Sequence, residues 1–288
     1  MSKIIKILIT GSSGMLGSQY LDILKKSYST YELPSQIDIA DELALNRYCL
    51  EIRPDIVVHT AAYTDVDGCE KNPVKANKIN VIGTRNISNY CISKKVKLVY
   101  ISSTGVYGGY KNKRYNESDI PKPLTIHHKT KLEGEEIART NNDHLILRVG
   151  WLYGGRNDHK NNFVIRRYNE AKKLDKIFAS KNQVGNPSNC RDVVLQTKLL
   201  IDNGITGTFN CVTGGVEVTR YDYIKEIILN FGLECKVLVA PPNYFKRIAP
   251  VSQNESAVNK KLINLKLNIM PSWDKSLKKY IKELELEL

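Results

Sequence analysis

The stretch KIIKILITGSSGMLGS, residues 3–18, decides the fold of this chain. Its apolar, β-branched first half has the pattern of a strand that is buried on both faces. Three glycines follow at every third position, and the residues behind them place an apolar side chain at every fourth position, as one stripe of a helix does. A strand, a glycine turn and a helix in this order present backbone N–H groups and a positive helix end to a pyrophosphate. The stretch therefore predicts a dinucleotide-binding site.

Each glycine of the stretch has its own predicted role. Gly11 permits the tight turn after the strand, Gly14 lets the phosphates come close to the backbone, and Gly17 lets the helix pack on the strand. Three turn glycines also occur in purely structural loops. The strand before the glycines and the helix after them favour the binding interpretation.

The composition argues against several classes of partner. The chain has 288 residues and a net charge of +13, from 43 basic and 30 acidic residues. The lysines are spread along the sequence, and no helix-turn-helix, zinc or RNA-binding signature accompanies them. We therefore expect a solvated lysine-rich surface and no nucleic-acid partner. A positive field would also attract an anionic nucleotide substrate.

Cysteine usage and hydropathy favour a cytoplasmic location. The six cysteines are scattered singly, without a Cys-x-x-Cys pair or a histidine at ligand spacing. This predicts reduced thiols, and neither a metal site nor a disulfide framework. No apolar run is long enough to span a bilayer, and the amino terminus leads directly into a strand. We therefore expect no signal peptide and no membrane partner.

Strands and helices alternate through the first half of the chain. After the opening stretch, apolar runs predict strands at residues 28–33, 56–58, 97–103 and 144–154. Between them, apolar periodicity predicts helices at 41–52 and 73–94 and a further helix that contains His127. This alternation predicts an α/β fold with a doubly wound parallel sheet.

The second half of the chain is less regular. Its predicted elements are helices at 161–173, 192–201, 221–230 and from Ser272 onward, a short strand at 207–212, and an irregular NQVGNPS loop at 182–188. We expect this half to form a small α/β lobe over the edge of the sheet, with a substrate cleft between them. The predicted domains are residues 1–154 and 155–288, with chain crossovers between the two.

Candidate chemistry lies at the carboxyl ends of the predicted strands, where ligands of open parallel sheets bind. The small residues of Thr60-Ala61-Ala62 would let a flat ligand lie against the backbone. The hydroxyls of Ser102-Ser103-Thr104 are well placed for catalysis, and simple end-capping is the alternative. His127 and Lys131, four residues apart, share one helix face.

The segment Asp38-Ile39 follows the glycines by about twenty residues, where an acidic group can meet the ribose or adenine of a dinucleotide. An exposed loop aspartate is the alternative interpretation. No arginine cluster marks a 2′-phosphate pocket there, so the sequence does not separate NAD from NADP.

The motifs occur in an order that resembles a known family. The order is ITGSSGMLG, PDIVVHTAAYTDVD, Asn80, YISSTGVYG, PLTIHHKTKLEGE, RVGWLYG and NQVGNPS. It is similar to the extended short-chain dehydrogenase/reductases, most closely to the dTDP-4-dehydrorhamnose reductase family, which acts on nucleotide-linked 4-keto-6-deoxysugars. The resemblance covers nearly the whole chain. It implies a Rossmann-type domain for a nicotinamide dinucleotide, a carboxyl-terminal lobe, and a sugar nucleotide bound between them.

The resemblance also implies roles for residues at matching positions. The expected cofactor-binding residues are Gly11, Ser13, Gly14, Met15, Leu16, Gly17, Asp38, Ile39, Ala61, Ala62, Tyr63 and Lys131. The expected substrate-binding residues are Val66, Ser103, Gly105, Trp151, Asn162, Phe163, Gln183, Gly185 and Pro187. Ser103 matches the catalytic Ser/Thr of the family, and Lys131 matches the lysine that hydrogen-bonds the nicotinamide ribose. Core packing is the alternative role, most of all for Trp151 and Phe163.

One departure from the family pattern concerns catalysis. The family has Tyr-x-x-x-Lys, whereas this chain has His127 in the tyrosine position, four residues before Lys131. The family tyrosine gives a proton to the developing alkoxide while hydride reaches the carbonyl carbon. An imidazole is shorter than a phenol, and Lys131 would push it toward the neutral form, which is a poor acid. His127 could instead relay a proton from solvent or Ser103, or His128 or Tyr107 could supply it.

A second departure lies in the substrate lobe. The family carries an Arg-Pro pair before a serine, whereas this chain reads APVSQNES at residues 249–256. Ser256 fits the serine and the arginine is absent. Arg247 could compensate from a different position.

Three functions are compatible with the sequence. The first is reduction of a nucleoside-diphosphate 4-keto-6-deoxysugar by NADH or NADPH, in deoxysugar and cell-surface polysaccharide biosynthesis, with Ser103, His127 and Lys131 as catalytic residues. The second is a binding or regulatory protein that keeps the dinucleotide site without turnover. The third is a related sugar-nucleotide epimerase or dehydratase. By analogy, two long exposed helices on a Rossmann fold would pair into a homodimer.

Overall fold

The computed structural model describes residues 4–155 and 159–286, so Lys3 of the opening stretch lies outside the described residues. The strands in this part are β1 (Lys6–Thr10), β2 (Ser29–Glu32), β3 (Ile56–His59), β4 (Lys97–Ser103), β5 (His144–Val149), β6 (Trp151–Tyr153), β7 (Lys176–Ala179), β8 (Val184–Gly185), β9 (Pro187–Asn189), β10 (Gly207–Cys211), β11 (Val218–Thr219) and β12 (Lys236–Val239).

The α-helices in the same ranges are α1 (Met15–Leu24), α2 (Glu42–Ile52), α3 (Val66–Lys71), α4 (Pro73–Asn77), α5 (Gly83–Lys94), α6 (Ile126–Arg139), α7 (Phe163–Ala171), α8 (Cys190–Asp202), α9 (Arg220–Asn230), α10 (Lys260–Asn264) and α11 (Trp273–Glu285). A π-helical turn (Lys78–Ile82) joins α4 to α5, and a 3₁₀ turn (Thr104–Tyr107) follows β4. No helix of the described residues is long and apolar enough to cross a membrane.

Six parallel strands form the central sheet in the order β10-β5-β4-β3-β1-β2. From β1 the chain goes to β2 on one side and then to β3 on the other side, so a crevice opens outside the carboxyl ends of β1 and β3. Glu32, the last residue of β2, lies opposite Ile9, and His59, the last residue of β3, lies opposite Thr10. The glycine turn therefore lies beside both neighbouring strand ends.

Apolar side chains of the opening strand alternate between two cores. Ile7 and Ile9 pack with α1 and α8 on one face of the sheet, and Leu8 packs with α2 and α5 on the other face. This confirms the prediction of a strand buried on both faces, and with it the doubly wound parallel sheet. The six cysteines are all buried and free.

Three predicted elements differ in detail. The helix predicted at 73–94 is interrupted by the π-helical turn, which contains Asn80, and α3 before it was not predicted. The strand predicted at 144–154 divides at Gly150, where the backbone leaves β4 and Trp151 N donates to Asn186 O at 2.8 Å. Its second part, β6, pairs with β9 in the lobe. The loop predicted at 182–188 contains β8 and the start of β9.

The second half of the chain contributes to both parts of the molecule. Strand β10 pairs with β5 in the central sheet, and α8 packs on α1. The remaining strands form small two-stranded sheets, in which β7 pairs with β12 and β8 with β11. These crossovers mean that residues 155–288 are not one continuous lobe in space.

Candidate active site

The glycine turn forms a cradle with no room for side chains. Gly11 has φ of +68°, and a Cβ on it would lie 2.7 Å from the backbone of Ala61. A Cβ on Gly17 would lie 2.1 Å from the carbonyl oxygen of Gly11. On Gly14 a Cβ would meet only that oxygen, at 3.1 Å. Packing within the protein thus requires Gly11 and Gly17, whereas Gly14 faces the space that a ligand would use.

The first turn of α1 points its free donors at this cradle. Gly14 is the N-cap residue of α1, and no side chain caps the helix. The N–H groups of a first turn have no partner within the helix, and the helix dipole adds positive potential there. An uncapped helix end behind a glycine cradle fits the pyrophosphate of a dinucleotide.

A single cleft of about 1250 Å³ runs from the glycine turn, across the carboxyl ends of the strands, to the lobe. Its lining includes seventeen of the expected site residues, which are Gly11, Ser13, Gly14, Met15, Leu16, Gly17, Asp38, Ile39, Ala61, Ala62, Val66, Ser103, His127, Lys131, Trp151, Phe163 and Gln183. No group of three or more His, Cys, Asp or Glu in the described ranges could hold a metal ion.

Ser103 ends β4 and faces the middle of the cleft. Its Oγ accepts a hydrogen bond from the backbone N–H of Gly105 at 3.1 Å, which caps the following 3₁₀ turn. Because this bond uses a lone pair, the hydroxyl hydrogen stays available for a donor role in the cleft. End-capping and a role in binding are therefore compatible.

His127 is held by the backbone of Tyr63. The Nδ1 atom lies 3.1 Å from Tyr63 O, and the side chain is buried at the cleft wall. A carbonyl oxygen only accepts, so Nδ1 carries the hydrogen and donates it. Burial, with smaller contributions from His128 and Lys131, lowers the pKa of His127 to about 3. In the neutral ring, Nε2 then has a lone pair and no hydrogen.

The π-helical turn fixes the carbonyl that holds His127. The side chain of Asn80 accepts a hydrogen bond from Tyr63 N at 2.7 Å and donates to Tyr63 O at 3.2 Å. It also donates to the Thr130 hydroxyl at 3.0 Å, one turn of helix beyond His127. π-helical turns occur frequently at functional sites. The turn here connects the strand-end loop to α6.

The other two proton donors considered from the sequence are engaged elsewhere. His128 Nδ1 lies 3.0 Å from the Thr125 hydroxyl, and its ring packs so closely on Gly105 that a Cβ there would lie 2.1 Å from Nε2. Tyr107 is fully buried, and its hydroxyl donates to Asn210 and accepts from Arg148. Tyr107 does not line the cleft.

Lys131 is a buried ammonium that has no carboxylate partner among the described residues. It is 6% exposed, and its Nζ lies 4.1 Å from the centre of the Tyr100 ring. The carboxylate one turn further, Glu135, is bound by Arg148 through two hydrogen bonds of 2.8 and 2.7 Å, and also by Arg139 and Ser102. Burial lowers the pKa of Lys131 to about 7, although the charge of Glu135 opposes this shift.

Glu32, which the sequence analysis did not select, lies at the glycine-turn end of the cleft. It is the last residue of β2, and Ser12 Oγ in the glycine turn donates to its carboxylate at 3.2 Å. The predicted Asp38 also lines the cleft, but its carboxylate pairs with Lys78 at 2.8 Å and accepts from Ala40 N. The strand end after the glycine motif was the signal that could have identified Glu32.

The lobe end of the cleft contains two arginines and a half-buried carboxylate. The Arg220 guanidinium lies 3.5 Å from the Trp151 ring centre, and Glu255 accepts from Trp151 Nε1 at 2.9 Å. Burial lowers the pKa of Arg220 to about 10 and raises that of Glu255. Arg247 also lines the cleft and pairs with Asp67. The sequence analysis named Arg247 but missed Arg220 and Glu255.

Several expected site residues do not line the cleft. Tyr63 acts through its backbone, Gly105 supports Ser103 and His128, and Gly185 packs under the Trp151 ring. Two others belong to the packing of the lobe: Asn162 donates to Gly154 O and Tyr280, and Pro187 is buried beside Trp151 in β9. Ser256 is also buried, and it donates to Asn254.

Comparison with known proteins identifies the family of the chain. The chain matches the family described as RmlD substrate binding domain over residues 5–286. It is similar to a dTDP-4-dehydrorhamnose reductase from Clostridium acetobutylicum, with 34% identity and a TM-score of 0.93, over 98% of this chain and 100% of that chain.

Two further relatives are similar over nearly their full length. The dTDP-4-dehydrorhamnose reductase of Bacillus anthracis, solved in complex with NADP, has 30% identity and a TM-score of 0.93 over 98% of this chain and all of its own. The spore coat polysaccharide biosynthesis protein SpsK of Bacillus subtilis is 29% identical, over 96% of this chain and 97% of that protein.

Proposed function

The chain belongs to the RmlD substrate-binding-domain family, and from this premise we propose that it is an NAD(P)H-dependent reductase of a nucleoside-diphosphate 4-keto-6-deoxysugar. The reaction would belong to deoxysugar and cell-surface polysaccharide biosynthesis. Relatives named as dTDP-4-dehydrorhamnose reductase and as a polysaccharide biosynthesis protein support the reaction and its setting.

The continuity of the cleft is the observation that carries the proposal. One cavity of about 1250 Å³ joins the glycine cradle, the Ser103–His127–Lys131 group and the two arginines of the lobe. A dinucleotide and a sugar nucleotide can lie end to end in such a space, with their reacting groups at the centre. A site for one ligand would not need both the glycine cradle at one end of the cleft and the two arginines at the other.

The residues of this chain have separable roles in the proposed reaction. A bound reduced nicotinamide supplies the hydride. The glycine cradle and the start of α1 hold the pyrophosphate, and the Ser103 hydroxyl donates a hydrogen bond to the sugar carbonyl oxygen. The Nε2 lone pair of His127 accepts a hydrogen bond from a hydroxyl in the cleft. Lys131 lines the same cleft and supplies a cation there.

The lobe end of the cleft suits a diphosphate. The Arg220 guanidinium lies over the Trp151 ring, and Arg247 pairs with Asp67. Guanidinium groups bind phosphate oxygens in a forked geometry, which favours this pair of residues as the anion site. The pair would take the place of the family arginine that is absent between residues 249 and 256.

A cofactor-oxidation assay tests the function. The purified protein is mixed with NADH or NADPH and each of a panel of nucleoside-diphosphate 4-keto-6-deoxysugars, and the loss of nicotinamide absorbance is followed. We expect oxidation with at least one sugar, and a loss of that rate in Ser103→Ala. Tight cofactor binding with no oxidation across the panel would contradict the proposal.

One observation favours a second candidate function. His127 stands in the position of the family acid with its only hydrogen directed to Tyr63 O. A binding or regulatory protein without turnover would have no need for an acid at this position. Calorimetry that shows cofactor binding, together with no chemistry and no effect of His127→Ala on binding, would select this candidate.

Narrower expectations belong to the same proposal. We propose that residues 1–154 form the dinucleotide-binding region and residues 155–288 the substrate-binding region. In this division α8 and β10 cross over to the first region. The buried free thiols support a reducing, cytoplasmic setting. A homodimer is tested by sedimentation of the purified protein, in which a monomer at micromolar concentration would exclude it.

A further inference from the structure

Reduction of a carbonyl needs a proton, and four side chains near the cleft are candidate donors. They are His127, His128, Tyr107 and Lys131. Each can be judged by where its hydrogens point and by what already holds it.

His127 is excluded by its hydrogen-bond direction. Its single hydrogen in the neutral state lies on Nδ1 and is donated to Tyr63 O. The Asn80 side chain hydrogen-bonds both the N–H and the carbonyl oxygen of Tyr63. The position of this carbonyl is therefore fixed, and with it the orientation of the His127 ring. Nε2 is therefore an acceptor toward the cleft. A second proton on this buried ring would be a positive charge beside Lys131, which is unfavourable.

His128 and Tyr107 are excluded by their contacts. His128 lines the cleft, but its Nε2 packs on the backbone of Gly105, and burial lowers its pKa to about 4, so that the ring is neutral near pH 7. The Tyr107 hydroxyl is used by Arg148 and Asn210, and Tyr107 is not among the residues that line the cleft. Neither side chain therefore offers an acidic hydrogen to a carbonyl oxygen at the centre of the cleft.

Lys131 remains, and its surroundings favour release of a proton. The ammonium is buried at the cleft wall. None of its neighbours in the described residues is a free carboxylate, because Glu135 is held by two arginines. A buried cation without an anionic partner is favoured to become neutral.

We propose that the Lys131 ammonium, rather than His127, supplies this proton, a proposal that rests on the reductase function above. As the carbonyl carbon accepts the hydride, its C=O π electrons move to the oxygen. One Lys131 N–H bond breaks and an O–H bond forms on that oxygen, directly or with the Ser103 hydroxyl passing the proton on. Lys131 is left as a neutral amine and regains a proton from water that enters the cleft.

Several ionisable groups surround Lys131 and set the charge that it feels. They are Glu135, His127 and His128 on α6, His59 at the end of β3, Tyr100 on β4 and Arg148 on β5. The three histidines have lowered pKa values and are neutral near pH 7, and Glu135 and Arg148 compensate each other. Lys131 is therefore the group of this set whose charge changes close to neutrality.

The pH dependence of kcat for the reduction tests the proposal. The donor must be protonated, so kcat should be constant at low pH and fall above a midpoint near 7, the pKa of Lys131. A His127 donor would give a fall above about 3. His127→Asn should lower kcat but keep the midpoint near 7. Loss of that midpoint in His127→Asn would overturn the proposal.

Lys131→Arg is the matched variant. Arginine keeps the positive charge and the hydrogen bonds to a ribose, but it stays protonated at neutral pH. We expect kcat to fall by about 100-fold or more, with loss of the midpoint near 7 and a much smaller change in the cofactor Kd. A Lys131→Arg variant with the wild-type kcat and midpoint would overturn the proposal.

Magnetic resonance of the cofactor-free protein gives a readout that does not depend on turnover. The Lys131 Cε signal, assigned with Lys131→Arg, should titrate near pH 7. Labelled histidine should show the hydrogen of His127 on Nδ1. A Lys131 midpoint near 10.5 in a protein that reduces its substrate would overturn the proton donor alone. Absence of turnover with every keto sugar would overturn the reductase function as well.

Discussion

At the scale of single residues, the neighbours of His127 decide its chemistry. A histidine in the position of the family tyrosine could act as an acid, act as a base or take no part in proton transfer. The Tyr63 carbonyl selects one tautomer, and burial keeps the ring neutral. The result is a hydrogen-bond acceptor where the family has a donor.

Replacement of His127 by tyrosine restores the family donor, and we expect it to raise kcat. A phenol beside the Lys131 cation can hydrogen-bond the alkoxide and give up a proton, and general acids typically contribute about 100-fold or more. The measurement is kcat with saturating cofactor, alongside the cofactor Kd as the control for binding. An unchanged or lower kcat with an unchanged Kd would show that the site is built around the imidazole.

The sequence identified Ser103, His127 and Lys131 because each lies at a readable place in a motif. It could not identify the partners that set their chemistry. The carbonyl of Tyr63, which holds His127, and Arg148, which occupies the Glu135 carboxylate, come from other elements and reach α6 only in the folded protein. Tyr107 illustrates the same limit, since its position after β4 suggested a donor and its hydroxyl is used by Arg148.

At the scale of elements, the end of β2 predicts a preference between the two nicotinamide cofactors. Glu32 faces the glycine turn through Ser12. A ribose 2′-hydroxyl can donate to this carboxylate, whereas a 2′-phosphate would bring like charge against it. The nearby Lys78 is paired with Asp38 and does not offset this repulsion.

We therefore expect NADH to bind about tenfold or more tightly than NADPH. Calorimetry on the wild type and on Glu32→Ser measures the Kd for NADPH divided by the Kd for NADH. This ratio should be lower in the variant. Asp38→Asn is the control, because the Asp38 carboxylate is already paired with Lys78, and this substitution should change the ratio much less. Tighter binding of NADPH by the wild type would contradict this prediction, and so would an unchanged ratio in Glu32→Ser.

The glycine turn gives a second prediction at this scale. A Cβ at Gly17 would lie 2.1 Å from Gly11 O, so Gly17→Ala should lower the free energy of unfolding by about 1–3 kcal/mol. Gly14→Ala meets only a 3.1 Å contact and should mainly weaken cofactor binding. Urea unfolding and calorimetry on both variants separate the two effects. Equal losses of stability would contradict the separate roles.

The opening strand, turn and helix were predictable because their signals are local. Apolar alternation, glycine spacing and helix periodicity all lie within residues 3–18. The π-helical turn and the break at Gly150 could not be predicted from the sequence, because each depends on a contact with a distant segment. Asn80 reaches the loop after β3, and the backbone at Gly150 approaches Asn186.

At the scale of the whole molecule, three buried histidines tie stability to pH. Burial lowers the pKa values of His59 and His127 to about 3 and that of His128 to about 4, from 6.5 in an unfolded chain. The unfolded chain therefore binds more protons than the folded protein as the pH falls below 6.5, and stability is lost on acidification.

Between pH 7 and pH 5 we expect the free energy of unfolding to fall by about 2 kcal/mol for each of these histidines. Urea unfolding at pH 7, 6 and 5 measures the loss. His127→Asn should remove about one third of it. A free energy of unfolding that is equal at pH 7 and pH 5 would show that the histidines are not held neutral.

The fold class followed from the alternation of elements, but the path of the second half did not. A short strand at residues 207–212 was predicted, yet its partner could not be, because strand pairing depends on contacts across 60 residues or more of chain. β10 extends the central sheet beside β5, and α8, which precedes β10 in the chain, packs on α1. The cleft therefore has one wall built from both halves of the chain.

Transfer of deuterium is the most direct test of the proposed reaction. The protein is incubated with NADH that carries deuterium in both positions of nicotinamide C4, and with the 4-keto sugar nucleotide that gives the fastest oxidation of the cofactor. We expect a 4-hydroxy sugar with one deuterium at C4 for each NADH consumed. A product without that deuterium, or no reduced sugar at all, would contradict assignment of this chain as a hydride-transfer reductase.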